Sequence, residues 1–571
     1  MSRITPKIKK EVEDFIQSFY NDDISIITPK ILDKTTILQN KPLHLDDEDW
    51  IQNCRWIVHS IIQLSFDEKY KTKSEEYVPL NSELLKKNCG NNYIVYLEGL
   101  LKNNIIECDG KYSKTKHESF GFLLSDKYAA SPLKHVTLTD YFLTKRIKEY
   151  RKEKIEKLKT KAGPIAHLVR WLTYDNLTID KNGAFEFLEI YKRKLTSELS
   201  KRNLKKEHLK KQDAFILKRY YKIKHQIENW NSNKYISIDD AGGRLYSPIT
   251  GLPSLFRNFL TYNGEGLVGF DIKNSQPLHF LTMLDDKFWK GYTSGLTLNK
   301  LDSKLWKYLQ EDKDYSTTIM FQESSETQCY KGSSCYTFRN LVQNGKLYEF
   351  ICFKFFNKYL TKGGIDRFST RAKTKQEFMH MMYHNTKERF TNAKDVFAEF
   401  KKLFPKEAAV MNLMKKRLYN DFPVILQKIE AQMLLHKVAK KVYDINPDIP
   451  LFTIHDSILT TKKYAKTLQS ILEDEYKKLL GFIPQFEKTE YSEHNAFNEI
   501  AKYTKSKVDQ ADLEISEDGY VIPEAFRFLK CEHWDFDKKK IVIPDFADYN
   551  TTPVLLKKVT TKNTSPKKLK K

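Results

Sequence analysis

Cysteine is scarce in this chain, with seven among 571 residues. The seven are scattered without CxxC spacing, which argues against a disulfide framework or a structural zinc site. Cys329 and Cys335, which flank a Tyr-Lys-Gly-Ser-Ser loop, read as free thiols. No run of 18 apolar residues exists, and the start MSRITPKIKKEVEDF lacks the apolar core of a signal peptide. The expectation is a cytoplasmic, intracellular protein with no membrane partner. A GxxxxGK[ST] phosphate loop and an internal repeat are also missing, so an ATP-driven motor is not expected in this chain. Acid is in short supply too: 74 Asp and Glu stand against 97 Lys and Arg, a net charge of +23. Such an excess gains affinity from a polyanion by releasing its counterions, and nucleic acid is the first candidate. What is present is core material, since 40% of the residues are hydrophobic and 13% aromatic. Length and composition together point to a folded protein of two to four domains.

From Val78 to Lys127 the pattern is a helix, a turn at Cys89–Asn92, a second helix, and two short apolar stretches flanking a polar segment. That is the order of a winged-helix module, with Lys111, Lys114 and Lys116 on the wing. A small packing domain fits the same pattern. Between Lys145 and Lys161 nine bases face three acids, and between Lys192 and Lys224 thirteen face three, all in proline-free, helix-compatible sequence. These are long basic helices suited to tracking phosphates. The tail after Pro553 has seven lysines and no acid, and is expected to be disordered.

Two apolar, strand-like runs end on aspartate: Leu267-Val-Gly-Phe-Asp271 and Pro450-Leu-Phe-Thr-Ile-His455-Asp456-Ser457. Two carboxylates on neighbouring strands can hold a pair of Mg²⁺ ions, one activating an attacking oxygen and one stabilising a leaving phosphate. Between them Arg371, Lys375, Met379 and Tyr383 recur every four residues, one slowly drifting face of a helix. Its cationic end suits phosphates, and its Met and Tyr suit a base and sugar.

Order and spacing resemble motifs A, B and C of the family A, polymerase I-like DNA polymerases and the related single-subunit, phage-type RNA polymerases. Asp271 matches motif A, Arg371, Lys375 and Tyr383 match motif B, and His455-Asp456 matches motif C. Gly242-Gly243-Arg244-Leu245 resembles the element before motif A whose arginine touches the primer-template. Leu426-Gln427 through Glu430 sits where the family has a duplex-contacting helix. The likeness spans about Asp239 to Phe486. It departs from the DNA polymerase pattern at Ser457, where they usually have Glu, at Met379, where they usually have an aromatic residue, and at His384, where both groups usually have Gly. Ser457 follows the RNA polymerases. Gln276, five residues after Asp271, is nearly as large as the glutamate that blocks a ribose 2′-OH in the DNA polymerases, and it can bond Tyr383.

The resemblance implies an α+β, right-hand polymerase with palm, fingers and thumb. Its expected organisation is a winged-helix-like domain over 1–135, a basic thumb-like region over 136–235, palm and fingers over 236–500 with an insertion including Trp289 to Gly332, and a C-terminal extension over 501–571. The implied catalytic set is Asp271, Asp456 and Lys375, with Asp271 and Asp456 holding two Mg²⁺ ions. Arg371, Lys375, Met379, Tyr383 and Gln276 would bind the nucleotide, and Arg244, Gln427 and His455 the nucleic acid. Implied partners are a DNA primer-template and deoxyribonucleoside triphosphates, with a replication helicase or initiator as a further partner. The expected protein is a DNA-directed DNA polymerase of a phage, plasmid or other mobile element. With about 135 residues before the basic helices to hold the winged-helix pattern, no proofreading activity is expected. The alternatives are a single-subunit RNA polymerase or primase on the same palm, and a non-enzymatic DNA-binding replication initiator.

Overall fold

The computed structural model describes residues 4–18, 24–66, 77–110, 119–172, 176–201, 206–231, 235–290, 295–316, 318, 334–360, 371–385, 392–511, 534–535 and 540–541. Lys111, Lys114 and Lys116, Cys329, much of the 289–332 insertion and the basic tail lie outside the described residues. The chain forms two compact units. The first comprises Met1–Ile272, Glu430–Glu475 and Phe486–Glu517, and the second Lys273–Ile429, Tyr476–Gln485 and Asp518–Lys571. Both helices and strands build the molecule. Among the described residues no helix is long and apolar enough to cross a membrane. Cys54, Cys89, Cys108 and Cys352 are free thiols.

In the first unit, strand β1 (Ser25–Pro29) precedes helix α1 (Asp47–Phe66). The acidic run Asp46–Asp49 opens this helix, with the Asp46 carboxylate accepting from the Glu48 and Asp49 amides at 2.9 and 3.0 Å. Negative charge there satisfies orphan amides and opposes the helix dipole favourably. Strand β2 (Val78–Pro79), helices α2 (Ser82–Cys89) and α3 (Tyr93–Lys102), and strands β3 (Ile106–Cys108) and β4 (Gly121–Leu124) follow. The strands form an antiparallel sheet in the order β2-β4-β3. Helix α3 buries Tyr96 and Leu100, while Tyr93, Leu97 and Leu101 pack on the same core. A Cβ on Gly99 would lie 2.4 Å from the Trp50 ring, so the approach of α3 to α1 requires glycine here. Strand β5 (Leu133–Thr137) returns to pair with β1.

Helices α4 (Tyr141–Ala162), α5 (Lys181–Ser200) and α6 (Lys206–Glu228) are the basic segments read from the sequence, with strand β6 (Leu177–Ile179) between α4 and α5. Helix α5 buries one stripe, Ala184, Phe187, Leu188, Tyr191, Leu195 and Leu199. The spacing of three and four confines its charges to the other face. Strands β7 (Ser237–Ile238) and β8 (Leu245–Tyr246) then form a short ribbon.

The sheet that carries the aspartates has the order β11-β12-β10-β9-β6, where β9 is Leu260–Tyr262, β10 Glu265–Ile272, β11 Phe452–Ile454 and β12 Ser457–Thr461. Strand β13 (Phe486–Glu490) pairs with β10 as well. Leu267, Val268, Gly269 and Phe270 are consecutively buried, the mark of a strand covered on both faces. An Asn263-Gly264 turn with both φ angles positive joins β9 to β10, as a two-residue hairpin demands.

The second unit is helical: α7 (Ser275–Met283), α8 (Ser334–Gln343), α9 (Leu347–Leu360), α10 (Arg371–Tyr383), α11 (Asn392–Leu403), α12 (Pro405–Met414) and α13 (Asp421–Ala431), whose last two residues begin the return to the first unit. Aromatic rings make its core. Phe280 meets Phe338 and Phe422 edge-on at 5.8 and 5.0 Å, and Phe400 contacts Phe338, Phe378 and Phe404. Such edge-to-face pairs add to the area they bury.

Candidate active site

In the first unit the backbone ladder brings the two aspartates together. Antiparallel pairing sets Asp271 of β10 opposite Ser457 of β12, and Asp456 is the next residue along the chain. Directly opposed residues in such a ladder have Cα atoms about 4.5–5.5 Å apart. The Ser457 hydroxyl donates to Asp271 Oδ1 at 2.5 Å. Both carboxylates are partly exposed, although they stand at the ends of buried strands. His455 and Asp456 form the two-residue turn between β11 and β12, with His455 at φ +53°. A non-glycine residue held there stores backbone strain, and strain of this kind gathers at functional sites. The exposed His455 ring lies edge-on to Tyr246 of β8 at 5.6 Å.

The turn before β8 is built by Asp239. Its carboxylate accepts from the backbone amides of Ala241, Gly242 and Arg244, and Gly243 supplies the positive φ that closes the turn. Arg244 is thereby held with its guanidinium in a fork with Glu430, Nε to Oε1 at 2.7 Å and Nη2 to Oε2 at 3.0 Å. The Glu430 side chain is 1% exposed and that of Arg244 18%. A carboxylate buried so deeply persists as a charge only with such a partner. Arg244, Asp271, Glu430, His455 and Asp456, scattered over more than 200 residues of sequence, thus belong to connected parts of one unit. Tyr491 was not foreseen as part of this neighbourhood. Burial pushes its phenol above the usual range, the Asp271 charge adds to that, and its ring would meet a Cβ on Gly269 at 3.1 Å.

In the second unit α10 buries Thr374, Phe378, Met381 and Met382, leaving Arg371, Lys375, Met379 and Tyr383 off the buried face. Arg371 Nε donates to Glu349 Oε1 at 2.8 Å, and its guanidinium lies 5.4 Å from the centre of the Tyr348 ring. The Tyr348 hydroxyl reaches Met379 Sδ at 4.0 Å. Lys375 is exposed and has no ion-pair partner among the described residues. Tyr383 donates to Gln276 Oε1 at 3.3 Å, and Gln276 is buried in the first turn of α7. Asn274, at φ +57°, starts that helix. The C-terminal end of α10 is held by Lys415, which donates to the carbonyls of Met381 and His384 at 2.8 Å each. Burial pushes the Lys415 ammonium down to about 7. Gln427 is half-buried on α13, and its neighbour Lys428 is tied to Asp302 at 3.0 Å.

Among the described residues no group of three or more His, Cys, Asp or Glu side chains is arranged to hold a metal. Asp271 and Asp456 remain as a pair of hard oxygen donors at adjoining strand ends. Such a pair fits Mg²⁺, which binds through one or two carboxylates and completes its shell with water and substrate phosphate. Glu349, Tyr348 and Lys415 carry no local sequence signal, because each acts on a motif segment brought to it by folding, and Glu430, although part of a motif, gave no sign of its fork with Arg244. Ser457 did carry one, as the third residue of the His-Asp-Ser run.

No family model matches the chain, and no curated protein matches it. Among solved structures it is similar to the POL domain of Pol1 from M. smegmatis, solved in complex with DNA primer-template and dNTP. That match has 8% identity and a TM-score of 0.31, and covers 62% of this chain and 74% of that one.

Proposed function

We propose that the protein is a template-directed nucleotidyltransferase, in its most specific form a DNA-directed DNA polymerase of a mobile element without proofreading. The observation that carries the proposal is the register of β10 on β12, which puts Asp271 opposite Ser457 and beside Asp456. Mg²⁺ ions held by these carboxylates would supply positive charge to the attacking 3′ oxygen and to the departing pyrophosphate. Lys375, exposed and without an ion-pair partner among the described residues, offers its ammonium to the triphosphate, with Arg371 four residues before it and already oriented by Glu349 and Tyr348. Met379 and Tyr383 provide the apolar and aromatic surface against base and sugar. Gln276, hydrogen-bonded to Tyr383, fills the place of a sugar-sensing residue and favours deoxyribonucleotides. His455 presents its ring to nucleic acid from the strained turn. Arg244 is a positioning residue, its fork to Glu430 fixing the Gly-Gly-Arg turn. The basic helices α4 to α6 would grip the duplex as a thumb, and the helix-helix-hairpin region from Val78 to Leu124 would help hold an origin as a winged helix.

The second reading, an RNA polymerase or primase, is favoured by Ser457 and by the motif B departure from the DNA polymerase pattern at Met379. A primer-extension assay offering dNTPs or NTPs, with and without primer and with Mg²⁺, separates the two. Primer-dependent incorporation of dNTPs is the expected result. Unprimed synthesis from NTPs supports the second reading, and DNA binding with no incorporation of either leaves a replication initiator.

A further inference from the structure

The amino-terminal end of α4 carries a feature that gripping a duplex does not explain. Tyr141 and Phe142 are each 66% exposed, the two most exposed aromatic side chains among the described residues. Their rings contact each other at 5.4 Å and 77°. Asp140 fixes the start of the helix beneath them, its carboxylate accepting from the Leu143 amide at 2.6 Å. Lys145, Lys148 and Lys152 follow at i+4, i+7 and i+11 from Tyr141. At 100° per residue these three lie within about 40° of the Tyr141 azimuth, and the stripe runs for roughly 16 Å. None of the three has an ion-pair partner among the described residues. The acids that share the helix are engaged elsewhere in part, Glu153 with Lys157 and Lys87, and Glu156 with Lys159.

We infer that this end of α4 is a binding site for single-stranded nucleic acid, with unpaired bases stacking on Tyr141 and Phe142 and phosphates running along Lys145, Lys148 and Lys152. Two aromatic rings left in water lose the favourable burial that keeps such residues inside, and an aromatic platform beside a row of cations is how strands with free base faces are held. Duplex DNA offers phosphates but hides its base faces in the stack, so it would use the lysines and leave the rings idle. An anionic membrane surface would meet the same lysines, but α4 has no apolar stripe to sink into it: the helix surface beyond the two rings is charged. The site does not depend on the nucleotidyl-transfer reading, because a polymerase, a primase and an initiator all meet single strands.

The test measures binding of the full chain to a fluorescein-labelled 12-nucleotide oligo-dT and to a 12-base-pair hairpin, by anisotropy across a salt series. Tyr141→Ala/Phe142→Ala should weaken oligo-dT binding by roughly 5- to 150-fold for each base that loses its stacking partner, and change duplex binding less than twofold. Lys145→Gln/Lys148→Gln/Lys152→Gln should lower the slope of log affinity against log salt for oligo-dT by about 2, while the aromatic pair variant leaves that slope unchanged. The Asp271→Asn protein should bind oligo-dT like wild type, whatever its catalytic state. The inference is overturned if the aromatic variant binds oligo-dT normally, if it loses both ligands equally, or if the platform responds only to vesicles containing anionic lipid.

Discussion

The aspartates of the first unit and the cations of the second are placed by different means. Asp271 and Asp456 stand where a hydrogen-bonded ladder puts them, since the pairing of β10 with β12 fixes every residue from Leu267 to Asp271 against Thr461 to Ser457. A slip of one residue would send Asp271 to the opposite face of the sheet. Arg371, Lys375 and Tyr383 share a helix face by periodicity alone, but what orients the ends of Arg371 and Tyr383 is a set of single side-chain contacts, Glu349, Tyr348 and Gln276. A ladder distributes its hold over many backbone bonds, whereas a side-chain contact can be cut with one substitution. The sheet site should therefore respond to mutation in its chemistry and scarcely in its shape, and the helix site in both.

The sharpest break is at the aspartates. Asp271→Asn and Asp456→Asn each remove a charge that would hold a metal and keep nearly the same volume. Incorporation should fall by about three orders of magnitude or more in each variant. Duplex affinity should stay within twofold, because the basic helices are untouched, and the unfolding midpoint should barely move. Single-turnover incorporation alongside anisotropy checks both halves. Turnover near the wild-type rate in either protein would remove the two-metal assignment.

Next in size are the cations of α10. Lys375→Ala should lower catalytic efficiency about 100-fold, with nucleotide binding and the chemical step both affected, since the ammonium is exposed and available. Arg371→Ala should cost activity and, unlike Lys375→Ala, also stability. It leaves Glu349 without its cation, and Glu349 Oε2 already lies buried with no hydrogen-bond partner among the described residues. A stability loss of roughly 1–3 kcal/mol follows from that stranded carboxylate. Arg371→Lys should restore little, since a point charge does not reproduce a planar fork that also stacks on Tyr348. Steady-state kinetics with urea unfolding of all three proteins separates the two cations. Equal kinetics for Lys375→Ala and wild type would show that α10 is not the nucleotide-binding helix.

This division also explains what the sequence discloses. The strands that carry Asp271 and lead to Asp456 were legible because an apolar run followed by a polar residue is a local pattern, and the four-residue spacing of α10 was legible for the same reason. Alternation of helix, helix and short strands between Val78 and Leu124 followed from turn chemistry at Cys89–Asn92. Glu430 was in view as part of a motif, yet its fork with Arg244 was not, because the two are 186 residues apart and no local rule joins them. Lys415 stands outside the motifs, and folding made it a buried clamp. The π-helical turn at Gln432–Val438, following α13, had no signal either, since the same residues satisfy an ordinary α-helical pattern.

Sugar choice should show as a change in a ratio of efficiencies and not as a loss of activity. If Gln276 blocks a ribose hydroxyl, Gln276→Gly should raise the ATP to dATP efficiency ratio by about 30- to 1,000-fold, the consequence of relieving roughly 2–4 kcal/mol of steric and polar conflict. Tyr383→Phe cuts the 3.3 Å bond that steadies Gln276 and leaves both bulks in place, so its effect should be several times weaker. The ratio is measured opposite template thymine with Mg²⁺ as the only metal. A wild-type preference for ATP would move the chain to the RNA polymerase or primase reading.

The last test asks how the helix site is clamped. Lys415 is buried, and burial lowers its folded value to about 7 from an ordinary 10.5, overcoming the pull of two carbonyls at a helix C-terminus that favours the charged form. Below pH 7 the folded and unfolded chains both carry this proton, and the full cost of burying the charge is present. Between about 7 and 10.5 the folded chain has released the proton and the unfolded chain has not, so this group makes stability rise with pH, by at most about 1.4 kcal/mol per unit. The neutral amine keeps two N–H donors, one for each carbonyl, so the clamp on α10 survives deprotonation. Lys415→Met should erase that rising component while leaving the rest of the pH profile in place. The measurement is the difference in unfolding free energy between wild type and Lys415→Met in urea at pH 6, 7.5 and 9. A difference that stays constant across the three would mean that Lys415 remains charged in the fold, held by the two carbonyls against the cost of burial.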